Sequence, residues 1–185
     1  MKLINPLLDE FIRVDGGNGI PVNVIERVIA QQNCQKDYAW AIPTLEAVQL
    51  IAQYDPIIEV GAGTGYWAWM LQQLGLSVEC YDNYSSHVRT HGFWYRVHRG
   101  SWEKAYSRKN LFLCWPPYDN SFGYRALKCH RGEYVIYIGE GYGGCTGCYN
   151  FHDLLSESYR QVNTCKIPQW YGLHDYLSVW KRHGS

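Results

Sequence analysis

The sequence predicts an α/β chain: a doubly wound, mostly parallel sheet with an antiparallel last strand, preceded by an N-terminal helical cap. Three observations carry this expectation. Ile57-Ile58-Glu59-Val60 reads as a buried strand that passes through Gly61-Ala62-Gly63-Thr64-Gly65 into the apolar run Tyr66 to Leu71, giving strand, tight turn and helix. Strand-like and helix-like segments then alternate toward the C-terminus, the pattern of a parallel sheet covered by helices on both faces. The last two strand candidates are joined only by Ile167 to His174. No crossover helix fits there, so the two should pair antiparallel.

The chain reads as one domain over 1–185, with a cap at 1–52 and the sheet core at 53–185. Leu7, Leu8, Phe11 and Ile12 share one helix face, and Gly16 to Pro21 breaks that helix. A second helix is expected over Val24 to Gln32. Thr44, after Pro43, caps a third that runs through Leu45, Val48, Leu50 and Ile51. Strands are expected at 56–60, 77–81, 95–98, 110–114, 134–139, 160–166 and 175–181. Helices should lie near 65–74, between 84 and 92, near 122–129 and at 150–158.

Composition narrows the function classes. Lysine plus arginine (17) equals aspartate plus glutamate (17). The zero net charge leaves no electrostatic footprint for a nucleic-acid backbone. The basic residues Arg89, Arg96, Arg99, Lys104, Arg108 and Lys109 read mostly as solvated surface, with a local basic patch as the alternative. No apolar run is long enough to span a membrane, and Met1 to Pro6 lacks the pattern of a signal peptide. A cytoplasmic setting is the expectation. The seven cysteines, odd in number and scattered, fit free thiols there. Cys145 and Cys148 form a CxxC, with His152 and Cys165 beyond, but no second pair completes a metal site, so they read as loop thiols.

The glycine turn is the first functional signal. Glycine lets backbone approach a ligand closely and tolerates positive φ, and open α/β sheets bind ligands at the carboxyl ends of their strands. A dinucleotide fingerprint would place its third glycine at position 66, which is Tyr66; here that glycine comes one residue early, at Gly65. With Glu59 two residues before Gly61, the segment resembles the first motif of class I S-adenosylmethionine (SAM) dependent methyltransferases, [D/E]-x-G-x-G-x-G. The second predicted strand ends in Asp82, 23 positions after Glu59, where an acid can accept hydrogen bonds from both ribose hydroxyls. The resemblance implies a Rossmann-like methyltransferase sheet with SAM as cofactor. Glu59, Gly61, Gly63, Gly65 and Cys114 would lie around the donor, and Asp82 would hold its ribose. Ser101 and Trp102 take the place of the adenine-binding turn, and Tyr38 lies in the segment that closes over the methionine end.

The second signal is Cys114-Trp115-Pro116-Pro117-Tyr118 after the buried strand 110–114. Two prolines fix φ and remove two donors, leaving the preceding carbonyls to accept. The turn resembles the fourth motif, [D/N/S]-P-P-[Y/F/W], of methyltransferases acting on adenine, cytosine or glutamine amines. The resemblance makes Trp115, Pro116, Pro117 and Tyr118 the acceptor site. Trp115 departs from the motif, since an indole has one N–H donor and no acceptor. The carbonyls of Trp115 and Pro116, or the side chains of Asp119 and Asn120, are the substitute acceptors. Glu140 ends the strand 134–139 on the same rim, before the Gly141-Tyr142-Gly143-Gly144 loop. It is the candidate general base, with a solvated turn acid as the equal alternative. His98, His152 and His174 have no visible partner. The acceptor itself is unidentified: a small molecule, a nucleotide or RNA, or a protein side chain. A noncatalytic SAM-binding partner subunit is the alternative reading.

Overall fold

The computed structural model describes residues 3–15, 23–83 and 92–184. The break expected at Gly16 to Pro21, the helix expected within 84–92 (residues 84–91) and Arg89 lie outside the described residues.

The cap comprises α1 (Pro6–Asp15), α2 (Val24–Asp37) and α3 (Leu45–Ala52). Asn23 caps α2 by accepting from the Glu26 amide, and Thr44 caps α3 by accepting from the Ala47 amide. α2 runs past Gln32 to Asp37. Its last turn buries only Cys34 among polar residues, so apolar spacing alone underestimates its length. The core follows as β1 (Ile57–Val60), α4 (Tyr66–Gln72), β2 (Glu79–Asp82), β3 (Val97–Arg99), β4 (Asn110–Cys114), α5 (Phe122–Cys129), β5 (Tyr134–Gly139), α6 (Tyr149–Ser158), β6 (Tyr159–Cys165) and β7 (Tyr176–Arg182). The strand ends differ from expectation by one or two residues, where burial alone does not mark the ladder's limit.

One sheet contains all seven strands, in the order β3-β2-β1-β4-β5-β7-β6. β1 through β5 pair parallel. β7 inserts between β5 and β6 and runs antiparallel to both. The expected antiparallel hairpin is present. This is a mixed α/β, Rossmann-like sheet with a reversed last strand. β1 and β4 are neighbours although the chain leaves β1 toward β2, so the order reverses between them. That is where such sheets open a ligand crevice.

Strand alternation divides the core. Phe112 faces the side of the cap and α4, packed with Leu7, Ile51, Trp67 and Val179. Leu111 and Leu113 face α5 and α6, packed with Ala126, Phe151 and Leu155. With both faces covered, β1 is buried along its length, which is why it reads as a continuous apolar run. Asn5 docks the cap onto the core: its amide donates to the Pro43 carbonyl and its oxygen accepts from the Tyr66 hydroxyl. Among the described residues, no helix is long and apolar enough to cross a membrane.

Candidate active site

β1 ends at a turn held by the end of β2. The Gly61 and Ala62 amides donate to the Tyr81 carbonyl at 2.8 and 3.0 Å, and the Gly63 amide donates to Asp82 Oδ2 at 3.0 Å. Gly61, Gly63 and Gly65 all have positive φ, at 77°, 55° and 75°. A side chain at Gly61 would press on Phe122, and one at Gly65 on Val97 and Tyr95. At Gly63 it would meet open space. Two of the glycines serve packing, and Gly63 leaves room beside the turn.

Beside this turn lies an open cleft between sheet, turn and cap. Glu59 and Cys114 line its sheet side, Gly61 to Thr64 its turn side, and Gln35, Lys36, Tyr38 and Trp40 its cap side. Cap and turn are tied together. The Thr64 hydroxyl donates to the Tyr38 carbonyl, and the Trp94 indole donates to the Asp37 carbonyl at 2.7 Å. The Tyr38 ring stacks on Trp94 at 5.3 Å and meets Tyr66 edge-on.

The cleft holds unspent polar capacity. Glu59 is buried, and the Cys80 thiol donates to its Oε2 at 3.6 Å. Burial pushes this carboxyl up to about 8; the Cys80 thiol opposes the rise and the Asp82 charge adds to it. Among the described residues the Gln35 amide nitrogen is buried without a hydrogen-bond partner, the Trp67 indole N–H has the weak Cys114 thiol to donate to, and both residues line the cleft. Buried polar groups are normally paired, so a carboxyl that shares the cleft with an unpaired amide suits a polar ligand. Burial also raises the Cys114 thiol, keeping it protonated.

The sequence-derived candidates fall into two groups. Tyr38, Glu59, Gly61, Gly63 and Cys114 converge on the cleft. Asp82 stands at its edge, buried and bound to Gly63. Gly65 starts α4. Ser101 precedes a 3-10 turn over Trp102–Ala105; the Gly100 amide ties that turn to the Asp82 carbonyl at 2.9 Å. Trp102 packs on the α5 side of the sheet, beneath the Arg125 guanidinium, which places its ring away from the cleft.

The Pro-Pro-Tyr turn occupies the adjoining rim, with its polar groups largely committed. The Trp115 amide donates to the Ile138 carbonyl at 2.8 Å, and the Pro116 carbonyl accepts from the Gly147 amide at 2.8 Å. One lone pair of the Pro116 carbonyl is therefore already engaged. Pro117 bridges to Thr146, and Tyr118 is exposed. Asn120 accepts from the Phe122 amide and donates to Asp119, so the pair starts α5. Glu140 is neither a free base nor a solvated acid. Its Oε1 accepts from the His174 amide, and its Oε2 accepts from the Cys145 amide and thiol. Burial tends to raise this carboxyl, but those donors outweigh it and hold the group below its ordinary range.

His152 contacts the Thr146 carbonyl at 2.8 Å. Among the described residues, no cluster of three or more metal-ligating side chains occurs. Lys109 pairs with Glu79, and Lys104 lies over the Tyr81 ring.

Sequence reasoning missed Asp175. Just before β7, it is buried and accepts from the Trp115 indole N–H at 2.9 Å. Because β7 is antiparallel, its start pairs with Gly139 at the end of β5, which brings Asp175 to the same rim as Glu140. Gln35, Trp67 and Trp94 were missed too, since each reads as an ordinary helix or loop residue. The one available signal was an acid standing directly before a buried strand.

No family model matches the sequence, and no curated protein matches it. Solved structures do. Magnesium protoporphyrin IX methyltransferase from Synechocystis PCC 6803, with S-adenosylhomocysteine (SAH) bound, superposes with a TM-score of 0.56 at 12% identity, over 95% of this chain and 94% of that one. Human N-acetylserotonin methyltransferase in complex with SAM gives 0.51 at 14% identity, over 95% of this chain and 65% of that one. A TehB-like SAM-dependent methyltransferase from Corynebacterium glutamicum gives 0.50 at 14%, over 86% and 100%. The likeness is one of fold: the chain has the Rossmann-like architecture of class I methyltransferases.

Proposed function

We propose that this chain is a SAM-dependent methyltransferase acting on an acceptor yet to be identified. The observation that carries the reading is the buried Glu59 carboxyl sharing the cleft at the β1/β4 switch point with the unpaired Gln35 amide and the weakly held Trp67 indole N–H. The amino-acid end of SAM is a zwitterion. Its ammonium suits Glu59, and its carboxylate suits Gln35, Lys36 and Trp67. Gly63 leaves space for the backbone to approach the donor. Asp82 is proposed for the ribose, and the Gly100-Ser101 turn against it for the base. Tyr38 and Trp40 close the cap side and exclude water.

When bound, SAM supplies an electrophilic methyl group on its sulfonium. The protein's contribution is then positioning and desolvation. Cys114, protonated and at the end of β4, lines the cleft beside the Pro-Pro-Tyr turn. Trp115 to Tyr118 are proposed to border the acceptor. Glu140 is proposed to act indirectly, by holding the rim loops.

Radiolabelled methyl transfer from SAM tests the activity. The full chain, incubated with fractionated metabolites, RNA and proteins, is expected to label one fraction, and Glu59→Leu to label none. The exposed apolar stripe Val24, Ile25, Val28 and Ile29 on α2 favours a second reading, a SAM-binding but inactive subunit of a larger assembly. SAM binding without labelling of any fraction supports that reading over the first.

A further inference from the structure

We propose that the Trp40–Trp115 pair is the recognition plate for the methyl acceptor, and that the acceptor presents a planar aromatic face to it. This deepens the methyltransferase reading and rests on it.

Trp115 has a φ of 53°, the left-handed region, and is the one non-glycine residue to do so among the described residues. A bulky side chain is a genuine outlier there. Backbone of this kind persists where the surroundings over-determine it, and it concentrates at ligand sites. The surroundings here are specific. The Trp115 amide is held by the Ile138 carbonyl at 2.8 Å, its indole N–H by buried Asp175 at 2.9 Å, and its ring by Trp40. The two indoles stack at 4.9 Å between centroids with planes 23° apart. An indole fixed at backbone, edge and face is a preorganised surface.

The plate also has an exposed side. Trp40 is 47% exposed and lines the cleft assigned to the donor, so the stack borders cleft and solvent together. Tyr118, 59% exposed, adds a second ring on the same turn.

Several of the groups that could aim an amine lone pair are already hydrogen-bonded. The Trp115 side chain has no acceptor, and its donor is given to Asp175. The Pro116 carbonyl accepts from Gly147, and the Asn120 oxygen from Phe122. Beside them stands the exposed π surface of Trp40, which selects by stacking.

The test uses the full chain saturated with SAH, titrated calorimetrically with 2-naphthol and with its saturated counterpart decahydro-2-naphthol. Two rings of equal size but different electronic character separate stacking from simple apolar burial. We expect 2-naphthol to bind at least tenfold more tightly, Trp40→Ala to abolish that preference, and Trp40→Phe to keep most of it. Equal binding of the two probes, absence of 2-naphthol binding, or a preference that survives in Trp40→Ala overturns the proposal. If SAH itself fails to bind, the donor reading fails. The same two titrations on the SAH-free chain then judge the plate alone, by the same outcomes.

Discussion

The indole N–H of Trp115 donates to Oδ2 of Asp175 at 2.9 Å, joining the turn after β4 to the start of β7. Burial, opposed by that N–H, pushes the Asp175 carboxyl up to about 6. An acid whose folded pKa is raised holds its proton longer in the native state. Its contribution to stability is therefore greatest at low pH and declines as pH rises from about 4 to about 6. Asp175→Asn keeps an acceptor and removes the ionisation. It should gain on the wild type across that window, by up to about 3 kcal/mol. Asp175→Ala strands a buried indole N–H and should cost about 1–3 kcal/mol. Urea denaturation from pH 4 to 8 measures both.

The three glycines of the β1 turn should separate by effect. Gly65→Ala forces a Cβ to 2.9 Å from Val97 and 3.0 Å from Tyr95 at a φ of 75°. Combined backbone strain and overpacking should destabilise the fold by about 2–4 kcal/mol. Gly63→Ala meets open space at a φ of 55°, so its stability cost should be about 1–2 kcal/mol, with the larger loss in donor affinity. Thermal melts alongside SAH titrations check this. A Gly63→Ala variant that binds SAH like the wild type contradicts the role given to that space.

Glu59 should trade stability for binding. Its folded pKa of about 8 lies well above that of an unfolded glutamate. The native state therefore loses ground as pH rises from about 4.5 to about 8. Glu59→Gln removes that loss and should stabilise the SAH-free protein at pH 8 by on the order of 4 kcal/mol. In the wild type, an arriving ammonium favours the carboxylate, so binding at pH 7 should release a proton. Calorimetry in buffers of different ionisation enthalpy reads that proton directly. Zero release would mean that no cation reaches Glu59.

Glu140 ties β5 to both rim loops through the His174 and Cys145 amides. Glu140→Ala removes the acceptor of both N–H groups and should cost about 1–2 kcal/mol, since the two donors are only partly buried. Hydrogen exchange should rise at 141–148 and 167–175 and stay unchanged in β1. Because its folded pKa is lowered, its stabilisation is present above the unfolded pKa of a glutamate and is lost as pH falls through the folded value.

What the sequence made legible was local. The β1 turn is one continuous segment, so Glu59 and its glycines were readable from spacing, and Asp82 from its distance to them. The sheet was readable because burial on both faces leaves unbroken apolar runs such as Leu111-Phe112-Leu113. The unread parts are those that folding assembles. Asp175 meets Trp115 across 60 positions, and Tyr38 meets Trp94 across 56. The Pro116 carbonyl looked free because the Gly147 amide that occupies it lies in an aperiodic loop. Glu140 was placed on the correct rim but not in its clamp, for the same reason. The left-handed backbone of Trp115 has no local signal, since a glycine would be the ordinary choice there.

The central claim is that the cleft beneath Glu59 holds the methyl donor, and calorimetric titration of SAH into the full chain tests it most directly. One site of micromolar affinity is expected, weakened at least tenfold in Glu59→Gln while the fold is retained. No measurable binding to the folded wild type, or equal binding to Glu59→Gln, would contradict it.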